Sequence, residues 1–193
     1  MMNIKHNRYK VLELGTQLFW SQGYHNLGVD KICKTTGMTK GAFYNAFKSK
    51  ENFLLSCIEF YGYMNVNHLT KELNSKEKAI DRILNMYINR FKNQPNINYI
   101  GCMTNNIMSE VVAANEVVSQ ATAFSFENLL NVIQPAVQEA QDDDDIFSAI
   151  SAREIAELLH TTFFGALTRA KSSKDFKTGI NTMTLLIKSL KSI

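Results

Sequence analysis

Apolar residues recur at helical spacing along almost the whole chain, and few residues interrupt them. Between residues 75 and 92, for example, Ile80, Ile83 and Tyr87 lie three or four positions apart, which places them on one helix face. The 193 residues include only two prolines and nine glycines. An all-β fold needs many more turn residues. The sequence therefore predicts an all-α protein whose helices bury their apolar faces against one another.

Capping residues divide this pattern into nine predicted helices. Thr39 and Ser49 are suited to cap the helices that follow them, and Gly37 is suited to end one. Ser151 and Glu154 form a capping-box pattern. The predicted helices span 4–22, 29–36, 40–46, 50–73, 75–92, 102–112, 115–141 with a kink at Pro135, a stretch that begins after Ser151, and 175–190.

Neither a membrane anchor nor an export signal is predicted. The chain has no run of about 18 apolar residues, and its first eight residues carry no apolar segment after the basic positions. The three cysteines, Cys33, Cys57 and Cys102, are odd in number and widely spaced. This pattern argues against a disulfide framework or a zinc site. We therefore expect reduced thiols, a cytoplasmic location and no contact with a membrane.

Basic residues are concentrated at the start of the chain. Residues 1–56 hold eight lysines and arginines against three acidic residues, whereas the whole chain has a net charge of +3. A basic segment on a mildly acidic body is typical of a protein that binds a polyanion. Charge alone does not distinguish this from a chance cluster of solvated lysines.

Two short helices flank Gly37-Met38-Thr39, and their length and turn fit a helix-turn-helix. Small or basic residues at the start of the second helix would let its backbone approach DNA closely. Phe43 and Phe47, four positions apart, can be buried on one face, which leaves Tyr44 and Asn45 outside. An ordinary helical hairpin with solvated lysines would show a similar pattern.

A longer pattern surrounds this turn. It consists of Leu18-Phe19, Gly23-Tyr24, Val29-Asp30-Lys31-Ile32 and the segment TGMTKGAFYNAFKSKE at 36–51, about a quarter of the chain. The pattern resembles the DNA-binding domain of the tetracycline-repressor (TetR) family of transcription regulators. The resemblance implies a nine-helix homodimer, with a helix-turn-helix domain over 1–48 and a ligand-binding and dimerisation domain over 49–193.

The resemblance also implies a set of residues that contact DNA. These are Gly28, Thr39, Lys40, Gly41, Ala42, Tyr44, Asn45, Lys48 and Lys50. Two departures from the family pattern affect individual contacts. Leu27 and Gly28 replace the usual threonine or serine, so a hydroxyl contact to phosphate is lost, and Asn45 replaces a common histidine.

Cys102 follows Ile100-Gly101 and opens a predicted helix. This Gly-Cys pair, together with Gly165-Ala166-Leu167 and Lys174-Asp175, resembles a branch of the family that includes the N-ethylmaleimide-responsive repressor. In that repressor the matching cysteine is the sensor. A helix N-terminus favours a thiolate, which is the form that electrophiles and oxidants attack. Alternatively, Cys102 is a small apolar residue that packs at the helix start.

The predicted body is rich in aromatic residues and methionines. Most of them will form the core, and some can line an apolar pocket with a few polar groups. The candidate ligand or sensor residues are Cys102, Tyr61, Met64, Tyr87, Met103, Asn106, Phe124 and Phe163. The Asp142–Asp145 run lacks the spacing of a calcium loop. We predict no metal, no cofactor and, in the absence of any enzyme motif, no catalytic activity.

The sequence thus predicts a DNA-binding transcription regulator, most simply a repressor, that a small-molecule effector releases from operator DNA. The effector is either an electrophile or oxidant sensed at Cys102, or a reversible ligand to which Cys102 is indifferent. A helical enzyme or scaffold is the remaining alternative. The last two helices are expected to pair two protomers through an apolar stripe made of Leu158, Thr162, Ala166, Leu167, Met183, Ile187 and Leu190.

Overall fold

The computed structural model describes residues 4–191, without the side chains of residues 4–7 and of Ala114. All the regular secondary structure in this part of the chain is helical. The nine α-helices in this part are α1 (Ile4–Gln22), α2 (Val29–Thr36), α3 (Lys40–Phe47), α4 (Lys50–Leu73), α5 (Ala79–Lys92), α6 (Met103–Val111), α7 (Glu116–Asp142), α8 (Ala152–Ser173) and α9 (Phe176–Ser189). Short 3₁₀ turns lie at Pro95–Ile97 and Val112–Ala114. The predicted all-α class is confirmed.

Local capping signals predicted most helix ends correctly. Gly37 ends α2 with a left-handed φ of 73°, and the Ser151 and Glu154 side chains form both bonds of the capping box at α8. One start was wrong, because α5 begins at Ala79 and not at residue 75. The carbonyl oxygen of Ser75 instead accepts a 2.9 Å hydrogen bond from Arg82 Nη1, which holds the preceding turn outside the helix.

The N-terminal segment up to Met64 and the segment Cys102–Ser125 form one compact unit, unit 1. Its core contains a cluster of phenylalanine rings in which Phe53 lies 5.3 Å from Phe43 and 4.6 Å from Phe47, centroid to centroid. A glycine at position 15 of α1 makes room for this cluster, since a Cβ there would lie 2.2 Å from Phe53 Cζ. The ring cluster fixes α3 against α4.

The segments Asn65–Gly101 and Phe126 onward form a second compact unit, unit 2. Here α9 packs against both α5 and α8. The approach of α9 to α5 requires Gly179, because a Cβ at that position would lie 2.2 Å from Cε1 of the buried Phe91. Both α4 and α7 contribute residues to the two units. Among the helices described, none has the length and apolar character needed to cross a bilayer.

Candidate functional site

Helix α3 is held so that one face is buried and the other is open to solvent. Thr39 caps the helix, as predicted, and its hydroxyl accepts a 3.2 Å hydrogen bond from the Ala42 N–H. Phe43 and Phe47 are buried in the core of unit 1. The residues predicted to meet DNA at this helix and its flanks all lie on the exposed surface: Gly28, Thr39, Lys40, Gly41, Ala42, Tyr44, Asn45 and Lys48.

Two lysines on this surface have partners within the protein. Lys40 Nζ lies 2.7 Å from Oδ1 of Asp30 on α2. The hydrogen bond and the charge of this carboxylate raise the pKa of Lys40. Lys48 Nζ donates a 2.9 Å hydrogen bond to the Asn45 carbonyl oxygen. The face is therefore less positive than its lysines alone suggest, because an acidic side chain lies within it.

Lys50 differs from the other predicted phosphate ligands because its side chain is half-buried. Its Nζ donates to the carbonyl oxygens of Tyr24 and Leu27, at 3.0 and 3.1 Å, and lies 4.0 Å from the centroid of the Tyr24 ring. The ammonium thus stabilises the turn between α1 and α2. A phosphate can reach it only in competition with these carbonyl groups.

Cys102 is the N-cap residue of α6, and its thiol is half-buried. The Tyr61 hydroxyl from α4 donates towards Sγ over 3.7 Å, and the same oxygen accepts the Met103 N–H at 3.4 Å. The Tyr61 ring also meets the edge of Trp20 from α1, at 5.6 Å between centroids. The thiol is thus connected to the first turn of α6 and, through Tyr61, to two helices of unit 1.

The other two thiols are buried. Burial raises the pKa of Cys57 to about 12, in spite of a hydrogen bond with Thr16 that acts in the opposite direction. Burial also raises the pKa of Cys33, with a smaller contribution from the charge of Asp30. Both residues pack in the core of unit 1. Of the three cysteines, Cys102 is the one that is not buried.

The remaining predicted ligand residues do not form one site. In unit 1, Met103 is fully buried, Asn106 is half-buried, Met64 is exposed and within 4.0 Å of the Tyr9 hydroxyl, and Phe124 is 68% exposed. An exposed Phe124 does not line an enclosed pocket of this chain. Tyr87 and Phe163 belong to unit 2, where both are buried.

In unit 2, Tyr87 and Phe163 join a cluster of buried and half-buried rings around His160. The imidazole lies 4.8 Å from Phe164 and 5.2 Å from Phe126, centroid to centroid. Within the described part of the chain, neither ring nitrogen of His160 has a hydrogen-bond partner, and nor does the Tyr87 hydroxyl. Burial, aided by the charge of Arg90, lowers the pKa of His160 to about 3. Burial raises the pKa of Tyr87.

Comparison with known proteins assigns both parts of the chain. Residues 11–57 match the model of bacterial regulatory proteins of the tetR family, and residues 77–178 match the tetracyclin repressor-like C-terminal domain. The second match alone spans more than half of the sequence. The chain belongs to the TetR family. It is therefore a DNA-binding transcription regulator, and the helix-turn-helix predicted from the helices at 29–36 and 40–46 is confirmed.

Two transcriptional repressors are similar to this chain over most of their length. The transcriptional repressor NemR of Escherichia coli K12 is 28% identical over 174 residues, which cover 88% of this chain and 86% of NemR. The repressor DhaR of Mycobacterium sp. GP1 is 25% identical, with 87% and 84% covered. The crystal structure of reduced E. coli NemR superposes with a TM-score of 0.82 at 26% identity, covering 95% of this chain and 96% of that one.

Four of the seven residues of the dimer stripe predicted for this TetR-family chain are buried within the protomer. Leu167, Met183, Ile187 and Leu190 are buried inside unit 2, so they are not available to a second protomer. Leu158 is 42% exposed, and Thr162 and Ala166 are half-exposed. Leu185, which was not predicted, is 68% exposed on α9. An interface through these helices would use their outer residues, since the inner stripe already packs within the protomer.

Two carboxylate contacts in unit 1 were not predicted from the sequence. Asp30 was not predicted to pair with Lys40, and Glu110 was not predicted to bind the turn after α1. Both Glu110 carboxylate oxygens accept backbone N–H groups, from Tyr24 at 3.0 Å and from His25 at 2.8 Å. The sequence does contain one signal for the Glu110 contact, which is the glycine at position 23. It favours a left-handed turn that exposes consecutive N–H groups to an anion.

Proposed function

We propose that this TetR-family protein is a repressor and that an electrophile or oxidant reacting at Cys102 releases it from operator DNA. The observation that carries the proposal is the environment of Cys102, which is the accessible thiol of the three and contacts both Tyr61 and the start of α6. Two relatives are named as repressors, and one solved relative is the reduced form of NemR. We place the protein in the cytoplasm with its DNA, and we propose regulation in place of catalysis.

The reaction expected with a maleimide is addition of sulfur across the carbon–carbon double bond. One carbon–sulfur bond forms, the π bond breaks, and the neighbouring carbon takes up a proton, so the thiol's proton is balanced in the adduct. A hydroxyl that donates to sulfur, as that of Tyr61 does, stabilises the charged nucleophile. The adduct is too bulky for a half-buried N-cap, so the first turn of α6 has to move.

On the DNA side, α3 serves as the recognition helix of each protomer. Thr39, Gly41 and Ala42 would lie against the backbone or base edges, and Tyr44 and Asn45 would reach them with hydrogen-bonding groups. Two protomers would join through the exposed residues of α8 and α9, such as Leu158 and Leu185. Their recognition helices would then enter major grooves roughly 34–36 Å apart on a near-palindromic operator.

A gel shift on the DNA directly upstream of the protein's own gene tests this proposal, with a scrambled duplex as control. The wild type is expected to bind specifically and to lose binding after stoichiometric N-ethylmaleimide treatment. Cys102→Ser should bind equally well and ignore the reagent. Cys57→Ser is the matched control, because its thiol is buried, and it should respond like the wild type. Release of the Cys102→Ser variant by the reagent would contradict sensing at Cys102.

A second candidate function is control by a reversible ligand in unit 2. It is favoured by the nitrogens of His160 and the hydroxyl of Tyr87, which have no hydrogen-bond partner among the described residues, since buried polar groups in proteins nearly always have one. A ring compound that carries both a donor and an acceptor would suit these atoms and the surrounding phenylalanines. Release of Cys102→Ser from DNA by such a compound, and its loss in His160→Phe, would favour this candidate.

A further inference from the structure

A carboxylate from α6 is seated in the turn that leads from α1 into the helix-turn-helix. Glu110, in the last turn of α6, accepts the Tyr24 N–H at Oε2 over 3.0 Å and the His25 N–H at Oε1 over 2.8 Å. The turn begins with Gly23 at a φ of 76°. Consecutive N–H groups after a left-handed residue form a concave site for an anion. Glu110 supplies that anion from within the chain.

Gly23 and Lys50 complete the arrangement of this turn. The left-handed φ of Gly23 favours glycine at this position, and a Cβ there would lie 2.7 Å from Glu110 Oε2, so the carboxylate would have to shift. From α4, Lys50 binds the carbonyl oxygens of Tyr24 and Leu27. The N–H groups of the turn are therefore held by an anion on α6, and its carbonyl groups by a cation on α4.

Helix α6 connects this turn to the proposed sensor. Cys102 caps its first turn and Glu110 lies in its last turn, so the two residues are separated by about 12 Å of helix at 1.5 Å per residue. A helix this short moves as a rigid rod. If an adduct on Cys102 displaces the N-terminus of α6, the Glu110 carboxylate near the C-terminus of the helix would move with it.

We propose that Glu110 is the positioning residue that couples α6 to the DNA-binding helices, by holding the α1–α2 turn while Cys102 is unmodified and releasing it when α6 shifts. This inference rests on the proposed sensing role of Cys102. The released turn no longer fixes the start of α2, and α2 supports the recognition helix. The coupling depends on the two hydrogen bonds that Glu110 accepts from the Tyr24 and His25 N–H groups. Their loss can be measured in the absence of DNA.

The test is amide hydrogen–deuterium exchange at Tyr24 and His25, resolved to single residues, in the full chain. Glu110→Gln is expected to raise the exchange rate of these amides by about tenfold, because two charge-assisted hydrogen bonds are weakened. N-ethylmaleimide on the wild type should raise the same rates, and it should add nothing in Glu110→Gln. Cys102→Ser should remove the response to the reagent.

Glu116→Gln is the matched control, because that exposed carboxylate of unit 1 accepts a hydrogen bond from the Gln120 side chain four residues on. It should leave the exchange of both amides unchanged. Glu110→Asp, with a shorter arm, provides a second variant should Glu110→Gln fold poorly, and it should give an intermediate rate and a partial response to the reagent.

Unchanged amide rates in Glu110→Gln, or in the wild type after complete alkylation of Cys102, would overturn the proposal. The result is separate from that of the gel shift. If the reagent opens the turn and the operator complex survives, the coupling stands and the sensor function fails. If the operator is released while both amides stay protected, the sensor function stands and the coupling through Glu110 is wrong.

Discussion

We predict that the carboxylate of Asp30 limits how strongly Lys40 attracts DNA, and replacing it with an amide tests this prediction. In the free protein the Lys40 ammonium lies 2.7 Å from Asp30 Oδ1, although both side chains are largely exposed. A phosphate that binds Lys40 has to displace this carboxylate and approach its negative charge. Asp30→Asn removes the charge and keeps the size of the side chain. We therefore expect the variant to bind DNA more tightly than the wild type.

The size of the effect follows from counterion release. Each phosphate neutralised on duplex DNA makes the slope of log K against log salt steeper by about 0.9. Such a contact raises the affinity at about 0.1 M salt by about eightfold relative to about 1 M salt. Lys40→Ala removes the whole contact, so its plot should be shallower by about 0.9 per protomer. Asp30→Asn restores only what the carboxylate suppresses, so its plot should be steeper by less than about 0.9 per protomer.

Fluorescence anisotropy with a labelled duplex at several salt concentrations measures both slopes. A duplex of arbitrary sequence is sufficient, because phosphate contacts carry no sequence information. Glu59→Gln, which removes an exposed carboxylate from α4, is the control for a simple change in net charge. If Lys40→Ala leaves the slope unchanged, or if Asp30→Asn binds no better than Glu59→Gln, Lys40 does not contact phosphate in competition with Asp30.

Two further predictions concern stability. Gly15→Ala should lower the melting temperature, because its Cβ would lie 2.2 Å from Phe53 Cζ and overpacking costs about 1–3 kcal/mol. Gly41→Ala is the control and should not lower it, because nothing lies within 4 Å of a Cβ at that position. Equal melting temperatures of the two variants would contradict the packing described for Gly15. The pKa of His160 falls from 6.5 to about 3 on folding, so its contribution to stability is complete above pH 6.5 and is lost progressively as the pH falls towards 3. Denaturant unfolding from about pH 6 to about pH 4 should show a dependence of stability on pH that is shallower in His160→Phe by about 1.4 kcal/mol per pH unit.

The parts of the fold that were predicted correctly depend on neighbours in sequence. Thr39 caps α3 through a residue three positions on, and Gly37 ends α2 through its own φ. The start of α5 was wrong because it depends on Arg82, whose guanidinium also pairs with Glu139 on α7. A local pattern does not contain that contact.

The dimer stripe shows a second reason why sequence patterns are insufficient. Helix α9 has an apolar inner face that includes Met183 and Ile187, and an outer position, Leu185, that is apolar as well. Periodicity identifies which residues share a face, and it does not say whether that face packs against the same chain or a second copy. Only burial within the protomer separates the two cases, and here it assigns Met183 and Ile187 to the protomer.

The predicted DNA-binding face shows how tertiary contacts change the meaning of a charge. Lys40, Lys48 and Lys50 were predicted to lie near DNA from their positions, yet in the free protein each has an internal partner: a carboxylate, a carbonyl oxygen and a pair of carbonyl oxygens. Contact with DNA at these positions would therefore exchange these partners for phosphate. Lys50 would make this exchange with the turn that Glu110 also holds, so a phosphate that draws Lys50 away would leave the two Glu110 hydrogen bonds to hold the turn. By this argument, DNA and an adduct on Cys102 act on the same turn from opposite sides.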